Sequence, residues 1–151
     1  MLRARQAYAT IRFMTNTLPD LPADFKRYVF VYGTLRKGEE RDINRLLPVP
    51  LFIGTSQTAG TLYHLGSYPG VRLGGHNWVQ GEIYQIDAEL ERRLDEIEGV
   101  RPQPTGEYMR REIVVQSEGN DVNCLVYEVA AARASGKDVI SSGDWLKRND
   151  A

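Results

Sequence analysis

Residues 28–32, Tyr-Val-Phe-Val-Tyr, form an unbroken run of aromatic and β-branched side chains that stops at Gly33. A run without polar alternation reads as a strand buried on both faces, so the fold must cover it from either side. Gly33 to Gly38 then make a small, polar, glycine-bracketed turn. Without a Cβ, Gly33 permits close backbone approach, and the N–H groups of Gly33, Thr34 and Leu35 are able to converge on a carboxylate or phosphate. The plainer alternative is an ordinary strand-to-loop turn.

Two nucleotide motifs fail on these residues. Gly33 and Gly38 have the spacing of a P-loop, but Glu39 and Glu40 stand where that motif needs Lys and Ser or Thr. No G-x-G-x-x-G follows any strand candidate. Net charge adds nothing for nucleic acid or an anionic membrane, since 19 Lys and Arg face 20 Asp and Glu. A small neutral or zwitterionic ligand fits better. No apolar stretch approaches the roughly 18 residues of a membrane span, and a soluble, cytoplasmic protein is expected.

The 151 residues are enough for one core, and 42% hydrophobic with 26% charged residues is ordinary for a globular chain. Cys124 has no partner for an internal disulfide and reads as a core residue. His64 and His76 lie at no metal-ligand spacing, so no metal is expected. Residues 1–16 carry Arg3, Arg5 and Arg12 without an acid, which suggests a frayed or mis-started terminus with Met14 as an alternative start. Pro19 and Pro22 mark a boundary, giving an extension over 1–27 and one domain over 28–148.

Strands predominate beyond that boundary. A short helix is predicted over Ile43–Leu47, a long strand over Leu51–Leu65, and a turn at Ser67–Gly70. Val71–Leu73 and Trp78–Ile86 read as two strands separated by a second hairpin turn at Gly74–Asn77. Tyr108–Gln116 and Val122–Val129 form a further hairpin around Gly119. With no βαβ alternation, the expected fold is α+β: a small closed or strongly curved, mainly antiparallel β-barrel with a few helices.

One helix is well punctuated, with Asp87 as N-cap and Gly99 past its end. Leu90, Leu94 and Ile97 form its inward stripe, and of its five internal carboxylates Glu98 lies nearest the centre of that stripe, roughly 75° away. Burial and the negative end of the helix dipole both raise the pKa of a carboxyl there. Glu98 is therefore a candidate general acid/base, set against the common case of a solvated helix-end Glu.

Tyr32, Gly33, Thr34 and Leu35 after a Val/Phe-rich strand, together with Leu94-Asp95-Glu96-Ile97-Glu98-Gly99-Val100, resemble the gamma-glutamylcyclotransferase superfamily. Val79–Tyr84, Tyr108–Arg111 and Ser142–Trp145 are similar to further elements of it, so the likeness runs from about Tyr28 to Trp145. The resemblance implies a barrel-like fold, no cofactor, and a small-molecule γ-glutamyl substrate converted to 5-oxoproline with release of an amine or amino acid. It implies that Tyr32, Gly33, Thr34 and Leu35 hold the glutamyl α-carboxylate, that Glu98 is the acid/base, and that Tyr108 and Tyr127 line the pocket. Tyr-Gly-Thr-Leu, where the glutathione-degrading branch has Gly-Tyr-Gly-Ser-Leu, points toward the γ-glutamylamine branch.

Arg36, Lys37, Glu39 and Glu40 beside the turn are expected to be solvated. Trp78 and Trp145 are expected in the core or as a lid, with Trp145 over the pocket. Two rivals stand beside the cyclotransferase: a non-catalytic γ-glutamyl-binding protein on the same fold, and a hydrolase using Ser67 or Ser142 with His64 or His76, for which no G-x-S-x-G elbow exists. Oligomeric state is left open.

Overall fold

The structure, a computed structural model, describes residues 12–13 and 26–149. Its strands are β1 (Arg12–Phe13), β2 (Lys26–Val31), β3 (Leu51–His64), β4 (Pro69–Asp87), β5 (Tyr108–Ser117), β6 (Asn120–Val129) and β7 (Asp138–Val139). The helices are α1 (Ala88–Ile97) and the single-turn α2 (Ala131–Ala134), with 3-10 turns at Ile43–Arg45 and Trp145–Lys147. Of the expected extension, Arg12–Phe13 pair with Arg111 and Glu112 of β5, whereas Met14, Pro19 and Pro22 lie outside the described residues.

The expected closed antiparallel barrel is wrong. The strands form one sheet in the order β1-β5-β6-β2-β4-β3-β7, whose end strands do not pair with each other, so it is open. It is also mixed: β6 runs parallel to β2 through Tyr28↔Cys124 and to β4 through Val71↔Glu128. Turn residues reveal only hairpins between consecutive strands, which here are β3–β4 and β5–β6. Pairing between strands distant in sequence, and with it closure, leaves no local signature.

The second predicted hairpin is also absent. Gly74–Asn77 lie within β4, which pairs with β3 on both sides of them, Ala59 opposite Trp78 and Gly60 opposite Leu73. The four residues are an insertion bulging from one long strand, with Gly74 and Gly75 in the left-handed region that turn residues share. The expected helix over Ile43–Leu47 shrinks to the 3-10 turn Ile43–Arg45, capped by the Asp42 side chain.

Both faces of β2 are covered, as its composition required. Val29 and Val31 pack with Tyr84, Ile86, Leu125 and, from α1, Leu90 and Leu94. Phe30 and Tyr32 point the other way, among Leu62, Val79, Ile83, Val126 and Trp145. Cys124 is buried in this second cluster, and burial pushes its thiol up to about 12, in keeping with a core residue. Trp145 is core as expected, but Trp78 is 54% exposed. Among the described residues no helix is long and apolar enough to cross a membrane.

Candidate active site

β2 ends at the glycine turn, and its hydrogen bonding leaves one set of groups unused. The carbonyls of Gly33, Thr34 and Leu35 accept from the amides of Arg36 (3.0 Å), Arg41 (2.9 Å) and Ile43 (2.9 Å). The amides of Gly33, Thr34 and Leu35 themselves donate to no acceptor among the described residues. Backbone donors without partners near a protein interior are costly, and a ligand carboxylate is one way to satisfy them. Gly33 is needed for a steric reason: a Cβ there would lie 2.6 Å from Cγ of Pro69, so the β3–β4 hairpin sits directly on the turn.

The turn is braced by a buried ion cluster. Arg36, expected in solvent, is only 6% exposed; its Nε donates to Glu82 Oε2 (3.0 Å) and its Nη1 to Asp144 Oδ1 (2.8 Å). Glu82 Oε1 also accepts from the Lys37 amide (3.0 Å) and the Tyr84 hydroxyl (2.8 Å). Glu39 accepts from Trp145 Nε1 (2.9 Å), which ties the C-terminal segment to the same loop. Trp145 does not line the cavity, so it braces the loop from behind and is not a lid.

α1 brings the second component. Asp87 caps it by accepting from the Leu90 amide (2.9 Å), and the helix stops at Glu98, with Gly99 at φ 74°. The inward stripe is broader than Leu90, Leu94 and Ile97 suggested, because Glu91 and Asp95 are buried as well. Both are neutralised: Arg110 reaches Glu91 (2.7 Å) and both oxygens of Asp95 (2.6 and 2.7 Å), while Arg27 reaches Glu91 (2.8 Å). Glu98 is different. It is partly buried and forms no ion pair among the described residues.

Glu98 and the turn line one cavity of about 250 Å³, together with Tyr32, Tyr68, Tyr108, Tyr127, Arg41 and Glu107. Burial pushes the Glu98 carboxyl up to about 7; the Arg41 guanidinium partly offsets this, and Glu107 and Asp95 add to it. A carboxyl titrating near neutrality is fitted to accept and return protons.

All the sequence candidates therefore meet at one cavity: Tyr32, Gly33, Thr34 and Leu35 from the turn, Glu98 from α1, Tyr108 from β5 and Tyr127 from β6. The phenols already spend their protons. Tyr32 donates to the Tyr127 carbonyl (2.7 Å), Tyr108 to the Pro69 carbonyl (2.6 Å) and Tyr127 to Asp95 Oδ1 (2.6 Å). Burial raises the pKa of all three, so they are neutral walls. Sequence reasoning missed Arg41, Tyr68, Thr105 and Glu107, which come from loops whose approach to the cavity carries no motif. The proposed Ser/His pairs do not form: His64 Nδ1 accepts from the Gly66 amide, and Ser142 Oγ bonds backbone atoms of residues 144 and 147. Among the described residues no acidic, His or Cys cluster is suited to a metal.

A pocket at the end of a central strand, lined by amide donors and by a carboxyl raised toward neutrality, defines a small α+β protein with a cavity sized for a compact small molecule. The chain belongs to the gamma-glutamyl cyclotransferase, AIG2-like family, whose profile matches residues 29–147. It is 36% identical over 122 residues to a Vibrio cholerae serotype O1 protein provisionally named as a gamma-glutamylcyclotransferase, covering 80% of this chain and 96% of that one. A Rattus norvegicus gamma-glutamylaminecyclotransferase is 30% identical, covering 68% and 78%. The crystal structure of a Mus musculus AIG2-like protein superposes with a TM-score of 0.63 at 28% identity, over 76% of this chain and 85% of that chain.

Proposed function

We propose that this protein is a cyclotransferase that converts a γ-glutamyl amine or γ-glutamyl amino acid to 5-oxoproline and the free amine, with Glu98 as the general acid/base. The observation that carries the reading is a carboxyl with a pKa near 7 in the same cavity as three unpartnered backbone amides. Family membership and the names of the relatives support it.

The amides of Gly33, Thr34 and Leu35 hold the glutamyl α-carboxylate, and the Tyr32, Tyr108 and Tyr127 rings fold the chain back on itself. The substrate's α-ammonium, with a reference pKa of about 7.7 to 8.0, passes a proton to ionised Glu98. The freed amine attacks the γ-carbonyl of its own molecule, forming the C–N bond of a five-membered ring. Because both partners sit in one substrate, orientation supplies much of the rate. Glu98 returns its proton to the departing nitrogen as the original amide bond breaks. The two protons lost by the attacking nitrogen end on the released amine, so no water, metal or redox cofactor enters the balance.

The test is 5-oxoproline release, read by mass spectrometry, from γ-glutamyl amines, γ-glutamyl dipeptides and glutathione. Release by wild type but not by Glu98→Gln, with substrate affinity kept, is the expected result. Binding without release by wild type would instead make this a γ-glutamyl-binding protein.

A further inference from the structure

Arg41 lines the catalytic cavity and also a neighbouring open groove, whose other walls are Glu40, Asp42, Arg45, Leu46 and Ile97. Only Arg41 and Ile97 belong to both. Under the proposed reaction Glu98 must reach the departing nitrogen, and Ile97 precedes Glu98 in the chain. Cavity and groove thus meet at Ile97 and Arg41, and a leaving group extending from the cavity on that side would enter the groove past Arg41.

The charges along that exit are unequally satisfied. Asp42 accepts from the Gly38 amide (2.8 Å), the Asn44 amide (2.9 Å) and Asn44 Nδ2 (2.9 Å). Glu107 accepts from the Tyr68 hydroxyl (2.7 Å) and has Arg133 at 3.7 Å. The exposed side chains of Glu40, Arg41 and Arg45, by contrast, form no ion pair or hydrogen bond among the described residues, and of these three only Arg41 also lines the catalytic cavity. The Arg41 backbone is tied to the turn that offers the three amides, since its amide donates to the Thr34 carbonyl, while its side chain is exposed.

We propose that Arg41 is a specificity residue that favours γ-glutamyl substrates whose leaving group carries a carboxylate, received where the cavity opens into the groove. This rests on the cyclotransferase reading above. A carboxylate matches the planar, forked donors of Arg41, whereas a neutral alkylamine leaves them unmatched and a cationic remainder meets like charge.

The experiment compares γ-glutamyl-alanine with γ-glutamyl-alaninamide, which differ only in that carboxylate, by kcat/KM for 5-oxoproline release with wild type, Arg41→Lys and Arg41→Gln. Wild type should prefer the acid by about fivefold or more, the scale of a partly exposed ion pair. Arg41→Lys should keep the direction of the preference, and Arg41→Gln should bring the ratio near one. The ratio cancels any change in folding or in Glu98 protonation, because both substrates share the glutamyl half. Equal rates in wild type, or a preference that survives in Arg41→Gln, overturn the role of Arg41 and leave the cyclotransferase reading standing. No release from either substrate by wild type overturns the role of Arg41, and the cyclotransferase reading falls with it only where γ-glutamyl amines and glutathione also yield no 5-oxoproline.

Discussion

Replacing Glu98 by Gln should make the protein more stable as it makes it inactive, and the stability gain should grow with pH. The carboxyl is raised from 4.5 to about 7 chiefly by burial. The folded state therefore prefers the protonated acid, while the unfolded chain ionises near 4.5. Where a folded pKa lies above the unfolded one, the favourable contribution is fully present below the unfolded pKa and is lost as pH rises through the folded pKa. At about 1.4 kcal/mol per tenfold change in proton affinity, the ionised Glu98 costs roughly 3 kcal/mol above pH 8 and only about 1 kcal/mol at pH 5. Gln keeps the shape without the charge. Urea unfolding of both proteins at pH 5 and pH 8 should show the advantage of Glu98→Gln widening by about 2 kcal/mol between them. A gap that does not change with pH, or one that narrows as pH rises, would refute the argument that a desolvated, unpaired carboxylate sits here.

The same carboxyl makes kcat/KM rise with pH through about 7 as Glu98 ionises, measurable as 5-oxoproline release from pH 5.5 to 8; a flat profile would remove Glu98 as the base. Arg36→Ala strands the buried Glu82 carboxylate and should cost about 3 kcal/mol in urea unfolding, whereas a surface arginine would cost under about 1. Gly33→Ala sets a methyl against the Pro69 ring, so it should lower stability by about 1 to 3 kcal/mol and raise KM by displacing the turn amides; an unchanged KM would argue that those amides do not hold substrate.

Much of the site was legible because its parts are local. The run over residues 28–32 foretold a two-sided core strand, and Val29/Val31 and Phe30/Tyr32 do enter separate clusters. Asp87 and Gly99 punctuate α1 where expected, and Glu98 stands at its end. Helical periodicity measures one stripe, however, and cannot register that β2 and β5 bring Arg27 and Arg110 to a second flank, where they bury Glu91 and Asp95. The same blindness made Arg36 a solvated loop residue: the identity of an arginine does not say that Glu82 and Asp144, distant in sequence, will surround it.

What the sequence determined by itself is whatever depends on a residue and its near neighbours: the central strand, the glycine turn, the capped helix and the carboxyl at its end. The tertiary structure alone decided that the sheet stays open and mixed, that one long β4 replaces two strands, and that Arg41 comes to stand beside Glu98 where cavity and groove meet. Those outcomes rest on pairing and desolvation between segments far apart in the chain, energies that no local pattern encodes.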